Sequence, residues 1–344
     1  PPIIRERILS IVRANLHPNG AAFISYNAHP GAKLKSALRD MMLYHVGDTA
    51  DPAIRLRDAR TLLNLISNPR PTPDAIDVAM AAQAEDLGTR TDSSLFHDEL
   101  GAVYQPLYFH EFIAQIQAAG LQYIDDADTF DSQPRNLSAE SIAAVRKMCG
   151  GDWLKEQQYL DFLRNREFRQ SVVCRSGMPL AVPWQPERIA GCYATTMARA
   201  TPDGAFLLET NAQLRCDARP AAYLRHVIAM WPEALRIVPE DAMLAAELYR
   251  IGALEIRAFP GVAGRAGEKP QASPLARYQL QHGQPQVTTL WHEPLQFTNE
   301  SPIELLSLLD GTNDRTAIAA AMQCSVEALD KELADLSYFG LMLR

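Results

Sequence analysis

Apolar residues fall at helical spacing in Ile4, Ile8, Ile11, Val12 and Leu16, and the turn residues His17-Pro18-Asn19-Gly20 end that helix. The run Ala21-Ala22-Phe23-Ile24-Ser25-Tyr26 is too short for a helix and is bounded by a turn, so it reads as a buried strand. From about 32 to 100 the pattern is helical and rather polar. Leu34, Leu38, Met41, Met42 and Tyr44 make one face, and Leu56, Leu62, Leu63 and Ile66 another. Thr72-Pro73-Asp74 opens a third helix with proline at its first position. Phe109, Phe112, Ile113 and Ile116 mark an amphipathic helix that stops at Gly120, and the strand Leu121-Gln122-Tyr123-Ile124 follows. After a second helical stretch, capped by Ser138 and carrying Leu154, Tyr159, Leu160 and Leu163, the β-branched centre of Phe168 to Cys174 reads as another strand.

Prolines at 179, 183 and 186 mark a domain boundary near Gly177. Beyond it, residues 189–200 and 205–210 flank Thr201-Pro202-Asp203-Gly204 as a β-hairpin, and helices are expected over 220–231 and 239–251. The Gly- and Pro-rich stretch 260–274 reads as a mobile linker. Helices around 302–309, 314–321 and 325–338 then end in Gly340 and a short apolar strand, repeating the ending at Gly252. Such units resemble small winged-helix folds. The organisation expected is therefore 1–177, 178–272 and 273–344.

With 33 basic against 41 acidic residues the formal charge is −8, and no basic cluster suits a phosphate backbone. The last helix carries Glu327, Asp330, Glu332 and Asp335 against a lone Lys331, which argues against a DNA-reading helix. No nucleic-acid partner is expected. Apolar runs stop far short of the roughly 20 residues that span a bilayer, so no membrane partner is expected and the cytoplasm is the expected compartment. Five cysteines at wide separations form no CxxC pair and read as small buried residues. His110-Glu111 is not followed by a second histidine at zinc spacing, and neither a phosphate-loop nor a GxSxG motif occurs.

Candidate chemistry is therefore positional. Ser25-Tyr26-Asn27-Ala28-His29-Pro30-Gly31 lies at the carboxyl end of a strand, where ligands of open α/β sheets sit. Tyr26 and Asn27 there suit a substrate amine or hydroxyl; a strand-to-helix turn whose Tyr packs and whose Asn caps is the alternative. A second polar and aromatic cluster holds His97 and Tyr108, and it reads equally as a helix end packed by aromatics.

The order of segments carries more. Leu16-His17-Pro18-Asn19-Gly20, Ser25-Tyr26-Asn27 with Pro30-Gly31, Arg39 to His45, Leu95-Phe96-His97-Asp98-Glu99-Leu100, Pro106 to Phe112 and Asp161 to Gln170 together resemble the bacterial methyltransferases that carry a methyltransferase regulatory domain. That family includes protein-lysine methyltransferases. The resemblance implies the C-terminal part of a class I methyltransferase α/β sheet, Rossmann-like, with helical insertions, followed by two winged-helix-like α+β modules. Residues 21–26, 121–126 and 167–175 then correspond to its last three strands, the third lying antiparallel between the other two.

In the family the Gly-rich loop and ribose-binding acid for S-adenosylmethionine lie on the first two strands, upstream of the helix with which this sequence begins. The expectation is a fragment of a longer enzyme: its substrate side, acting on protein lysine, with Tyr26, Asn27, His97 and Tyr108 lining one cleft. S-adenosylmethionine is not expected to bind this chain alone, no metal is expected, and the catalytic residues stay unassigned. The free side of strand 21–26 is expected to be covered by the N-terminal methyltransferase half or by a second copy. The other reading is a non-catalytic regulatory module that docks on a separate methyltransferase subunit.

Overall fold

The computed structural model describes residues 2–128, 132, 137–180, 185–284, 286–297 and 301–343, and the chain divides into two compact units, 1–180 and 181–344. In the first unit helix α1 (Pro2–Asn15) leads to strand β1 (Ala21–Asn27). Helices α2 (Ala32–Val46), α3 (Pro52–Ile66), α4 (Ala75–Thr89) and the short α5 (Asp92–Ser94) follow, the last running into a π-helical turn at Leu95–Glu99. Then come α6 (Phe109–Ala118), β2 (Leu121–Asp126), α7 (Ala139–Cys149), α8 (Trp153–Arg164) and β3 (Phe168–Arg175).

The strands lie in the order β1-β3-β2, and β3 pairs antiparallel with both neighbours, as expected for 167–175. Ala22 faces Val173, Ile24 faces Ser171 and Tyr26 faces Arg169. Alternation puts Ala22, Ile24, Tyr26, Leu121, Tyr123 and Val173 against Phe109, Phe112, Ile113 and Ile116 of α6. Those four positions of α6, spaced i, i+3, i+4, i+7, are all buried.

On the opposite face Phe23 is exposed, and β1 is an edge strand. The expected face of α1 is corrected in part: Leu9 is buried and Val12 and Leu16 pack beside it, whereas Ile4, Ile8 and Ile11 are about half exposed.

Helices α2, α3 and α4 enclose a second core of Leu38, Met42, Val46, Ala59, Leu63, Ala84 and Leu87, joined by Leu95 and Leu100. Tyr44, expected on that face, is 91% exposed; the buried stripe of α2 instead includes Lys35 and Arg39. At α4 the cap is Asp74, whose Oδ1 accepts from the backbone N–H groups of Ile76 and Asp77 (both 2.9 Å). Asp77 Oδ2 accepts in return from Asp74 N–H, closing a capping box, so Pro73 precedes the helix rather than starting it.

In the second unit the expected hairpin is shorter than its apolar runs. Arg199–Ala200 pairs with Phe206–Leu207 around the expected turn, but Tyr193–Thr195 pairs with Leu235–Arg236 and Glu255–Arg257. The strand breaks at Thr196, whose hydroxyl accepts from Ala198 N–H (3.0 Å) and donates to Ala253 O (2.8 Å). Helices cover Ala218–Met230 and Ala242–Arg250 around one core. Ser301–Leu308, Arg315–Ala321 and Val326–Tyr338 surround another.

The stretch 260–274 is not a mobile linker. Ala263 bridges Leu343, Gln271 bridges Asp310 and Ala272 bridges Met342, with Ala263 and Ala272 buried. Its backbone groups are spent on the C-terminal core, which composition alone does not reveal. The cysteines are free, but only Cys149 and Cys174 are buried; Cys324 is exposed.

Arg169 of β3 has no exposed surface. Its guanidinium takes Asp161 of α8 in a two-point fork (Nε to Oδ2 2.9 Å, Nη2 to Oδ1 2.8 Å) and reaches Asp126 of β2 at 3.0 Å. It also lies 4.0 Å from the ring centre of Phe109 on α6. Replacing Arg169 with Met strands the buried Asp161 carboxylate and is expected to cost about 3–5 kcal/mol. Urea unfolding followed through Trp153, stacked on Tyr123 at 5.2 Å, reads this loss. A loss below about 1 kcal/mol, typical of an exposed pair, is the contrary result.

Candidate functional site

The carboxyl end of β1 is clamped from two sides. Asn27 O accepts from Leu107 N–H (3.0 Å) and His29 N–H donates to Leu107 O (2.9 Å). Across the turn, Ala28 N–H donates to Glu167 O (2.8 Å) and Gly31 N–H to Arg166 O (2.9 Å). Ala28 is completely buried in this clamp. Gly31 has an ordinary φ of −56°, so backbone freedom is not what the position needs. A Cβ there would fall 2.2 Å from Asn165 O and 2.6 Å from Glu167 N. Glycine is required by the close approach of the chain between α8 and β3. Asn165 makes that approach possible by ending α8 in the left-handed region at φ 50°, which Asn tolerates better than most residues.

Beside the turn stands a run of aromatic rings. His29 lies 5.0 Å from Tyr108, Tyr108 stacks on His110 at 5.6 Å and meets Phe162 edge-on at 6.1 Å. Tyr108 N–H donates to Glu111 Oε2 (2.9 Å), which fixes the first turn of α6. Burial and the neighbouring Lys33 hold the His29 imidazole below its ordinary pKa, against the opposing pull of Glu111. Between α6 and α8 lies a cavity of about 540 Å³, lined by Phe109, His110, Ile113, Gln158, Tyr159 and Phe162 among others. Its size suits a side chain or small ligand.

Of the residues expected to share a cleft, Tyr108 belongs to this cluster. Asn27 is half-buried at the turn and contributes its carbonyl to the clamp. Tyr26 points into the core, its ring 4.4 Å from Phe112, and burial pushes its phenol well above the ordinary range. His97 is exposed on the π-helical turn, its ring edge-on to Phe96 at 5.5 Å. His29 and His110 lay within the quoted motifs without being assigned to the cleft, and Gln158 and Phe162 were not singled out by sequence. A 48-residue separation joins His110 to Gln158, and no local pattern carries such a pair.

A second polar cluster lies within the helical insertion. Lys35 Nζ and Arg90 Nη1 both reach Glu99 Oε1, at 2.6 and 3.0 Å, with Glu99 fully buried. Lys35 and Arg39 also lie over the Tyr104 ring. Three cations around one carboxylate and a phenol form a buried brace between α2 and the π-helical turn.

Among the described residues no group of three or more His, Cys, Asp or Glu is placed to hold a metal. The glycine after β1 has its Cβ direction filled by residues 165–167, so it serves chain packing and offers no open cradle.

Residues 91–175, which include α6, α8 and β3, match the family described as a predicted methyltransferase regulatory domain. Residues 268–334 match the C-terminal winged helix domain of PKMT, the protein lysine methyltransferases. The fold is that of PKMT2 from Rickettsia typhi: TM-score 0.83 at 21% identity, over 100% of this chain and 79% of that one. A structure of PKMT2 in complex with AdoHcy gives a TM-score of 0.81 at 21% identity, over 99% and 78% of the two chains. In sequence the chain is 25% identical to uncharacterized protein RP789 of Rickettsia prowazekii over 375 aligned residues, covering 95% of this chain and 65% of that protein. It is 32% identical to RP028 of the same organism over 117 residues, 33% of this chain and 46% of that protein. The chain thus spans 65% and 46% of these relatives' lengths. It carries a methyltransferase regulatory domain. Its C-terminal part is a winged helix domain of the PKMT kind.

Substituting Gly31 by Ala forces the clamp apart, and a loss of about 1–3 kcal/mol is expected. A thermal melt with an unchanged midpoint would show that the approach of residues 165–167 is not close in solution.

Proposed function

We propose that this chain is the substrate-side and regulatory portion of an S-adenosylmethionine-dependent methyltransferase that acts on protein lysine. The supporting observation is that the segment matching the methyltransferase regulatory domain supplies Tyr108, His110 and Phe162 beside the carboxyl end of β1. Methyl transfer by in-line displacement asks mainly for an aligned, neutral nucleophile, so positioning is the work such a surface does.

In this reading the cofactor sits on a separate methyltransferase half, and the free edge of β1 with the exposed Ile4, Ile8, Ile11 and Phe23 is the face that half covers. The residues that act on the cofactor belong to that half. No described helix is long and apolar enough to cross a membrane, and the cytoplasm is the compartment this reading carries. The same exposed face supports a second reading, a non-catalytic module that docks on a methyltransferase subunit.

Calorimetric titration of the chain with S-adenosylmethionine is expected to give no binding tighter than about 1 mM. Adding the cofactor-binding half is expected to restore binding and labelling of lysine-containing peptides from radiolabelled cofactor. Restored binding with peptide labelling no faster than by that half alone selects the docking module. Micromolar binding by the chain alone contradicts both readings.

A further inference from the structure

Gln158 of α8 is 6% exposed and meets the first turn of α6. Its Oε1 accepts from the backbone N–H of His110 (3.0 Å) and lies 2.8 Å from Nδ1 of the same residue. A backbone N–H can only donate, so the atom it meets is the amide oxygen, and that oxygen can only accept. Nδ1 of His110 therefore carries a proton in this contact. In a neutral imidazole the other nitrogen is then the acceptor, which makes Nε2 a fixed lone pair.

The arrangement has a cost. The amide nitrogen of Gln158, turned away by the same geometry, is buried with no hydrogen-bond partner. A buried donor left unpaired calls for a reason. Capping α6 needs only the bond to the His110 N–H and leaves the second bond, to Nδ1, unexplained.

His110 is exposed and lines the cavity of about 540 Å³ with Phe109, Tyr159 and Phe162, while Tyr108 stacks on its imidazole. Asp152 and Lys155 line it as well and offset each other in charge. A ligand here meets aromatic faces, the imidazole acceptor, and the Gln117 and Asp152 side chains at the lining. An anion finds too little to bind, and a purely apolar group leaves the lone pair unused. An alkylammonium uses both: an N–H for Nε2 and a positive charge beside aromatic rings.

We propose that this groove binds the alkylammonium of a lysine side chain, with His110 Nε2 accepting its hydrogen bond and Gln158 as the positioning residue that fixes the imidazole tautomer. The identity of the ligand as lysine rests on the function proposed above; the lock on His110 does not.

The test uses the full chain labelled with nitrogen-15, at about pH 8. Two-bond hydrogen–nitrogen correlations are expected to report His110 in the Nδ1–H form, and titration with n-butylammonium to move its Nε2 resonance. Gln158→Glu keeps the acceptor and is expected to keep the tautomer. Gln158→Leu removes it, and is expected to return His110 to mixed tautomers and weaken n-butylammonium binding at least about threefold. An Nε2–H form in the unsubstituted chain overturns the proposal, as does an Nε2 resonance unmoved by n-butylammonium. Retained n-butylammonium binding without lysine labelling in the reconstituted enzyme removes the methyltransferase reading and leaves the site standing.

Discussion

A guanidinium with no exposed surface sits in the middle of the sheet, and the first unit is arranged around satisfying it. Arg169 draws its partners from three directions: Asp161 on α8, Asp126 at the end of β2, and the Phe109 ring on α6. Arg166 Nη1 adds a contact of 2.9 Å to Asp126. Charges this deep are tolerable only when paired and hydrogen-bonded, so none of these elements can slide on β3 without stranding one. Such a cluster contributes position more than net stability. Because Asp161 precedes Arg169 by only eight residues, the fork fixes how α8 turns into β3. That turn carries the carbonyls of Arg166 and Glu167, which hold Gly31 and Ala28 and thereby the end of β1.

What periodicity encodes was legible in the sequence. The stripe of α6 and the alternation of β3 reappear in the fold because burial on one face is a local, repeated demand. Lys35, Arg39, Arg169 and Asp161 were not legible, since a charged residue reads as solvated until its partner is known, and those partners are remote or on other elements. Tyr44 shows the converse: an apolar ring assigned to a face it does not occupy. At 260–274 the glycines and prolines suggested freedom, yet the backbone there pairs with Asp310, Met342 and Leu343. Tyr193–Thr195 had a hairpin partner nearby and took more distant ones instead.

The site follows the same division. The turn after β1 was visible as a Pro-Gly motif, and Tyr108 as part of an aromatic cluster. The rest depends on α8, which brings Phe162 and Gln158 to the N-terminus of α6 only once the sheet is assembled. Tyr26, the most prominent aromatic of the motif, is turned inward to stack on Phe112, so His29 and His110 carry the polar chemistry of that face. The segment matching the methyltransferase regulatory domain thus supplies both the Arg169 brace and the two walls of the groove.

Hydrogen exchange at two amides tests this dependence most directly. Ala28 N–H and Gly31 N–H bond to the carbonyls that the Arg169 fork positions. Arg169→Lys keeps the charge but cannot reproduce the two-point contact with Asp161. Protection at both amides is expected to fall at least about tenfold, while Leu63 and Leu87 in the α2–α4 core keep theirs. Unchanged protection at Ala28 and Gly31 in a folded Arg169→Lys chain would contradict the account.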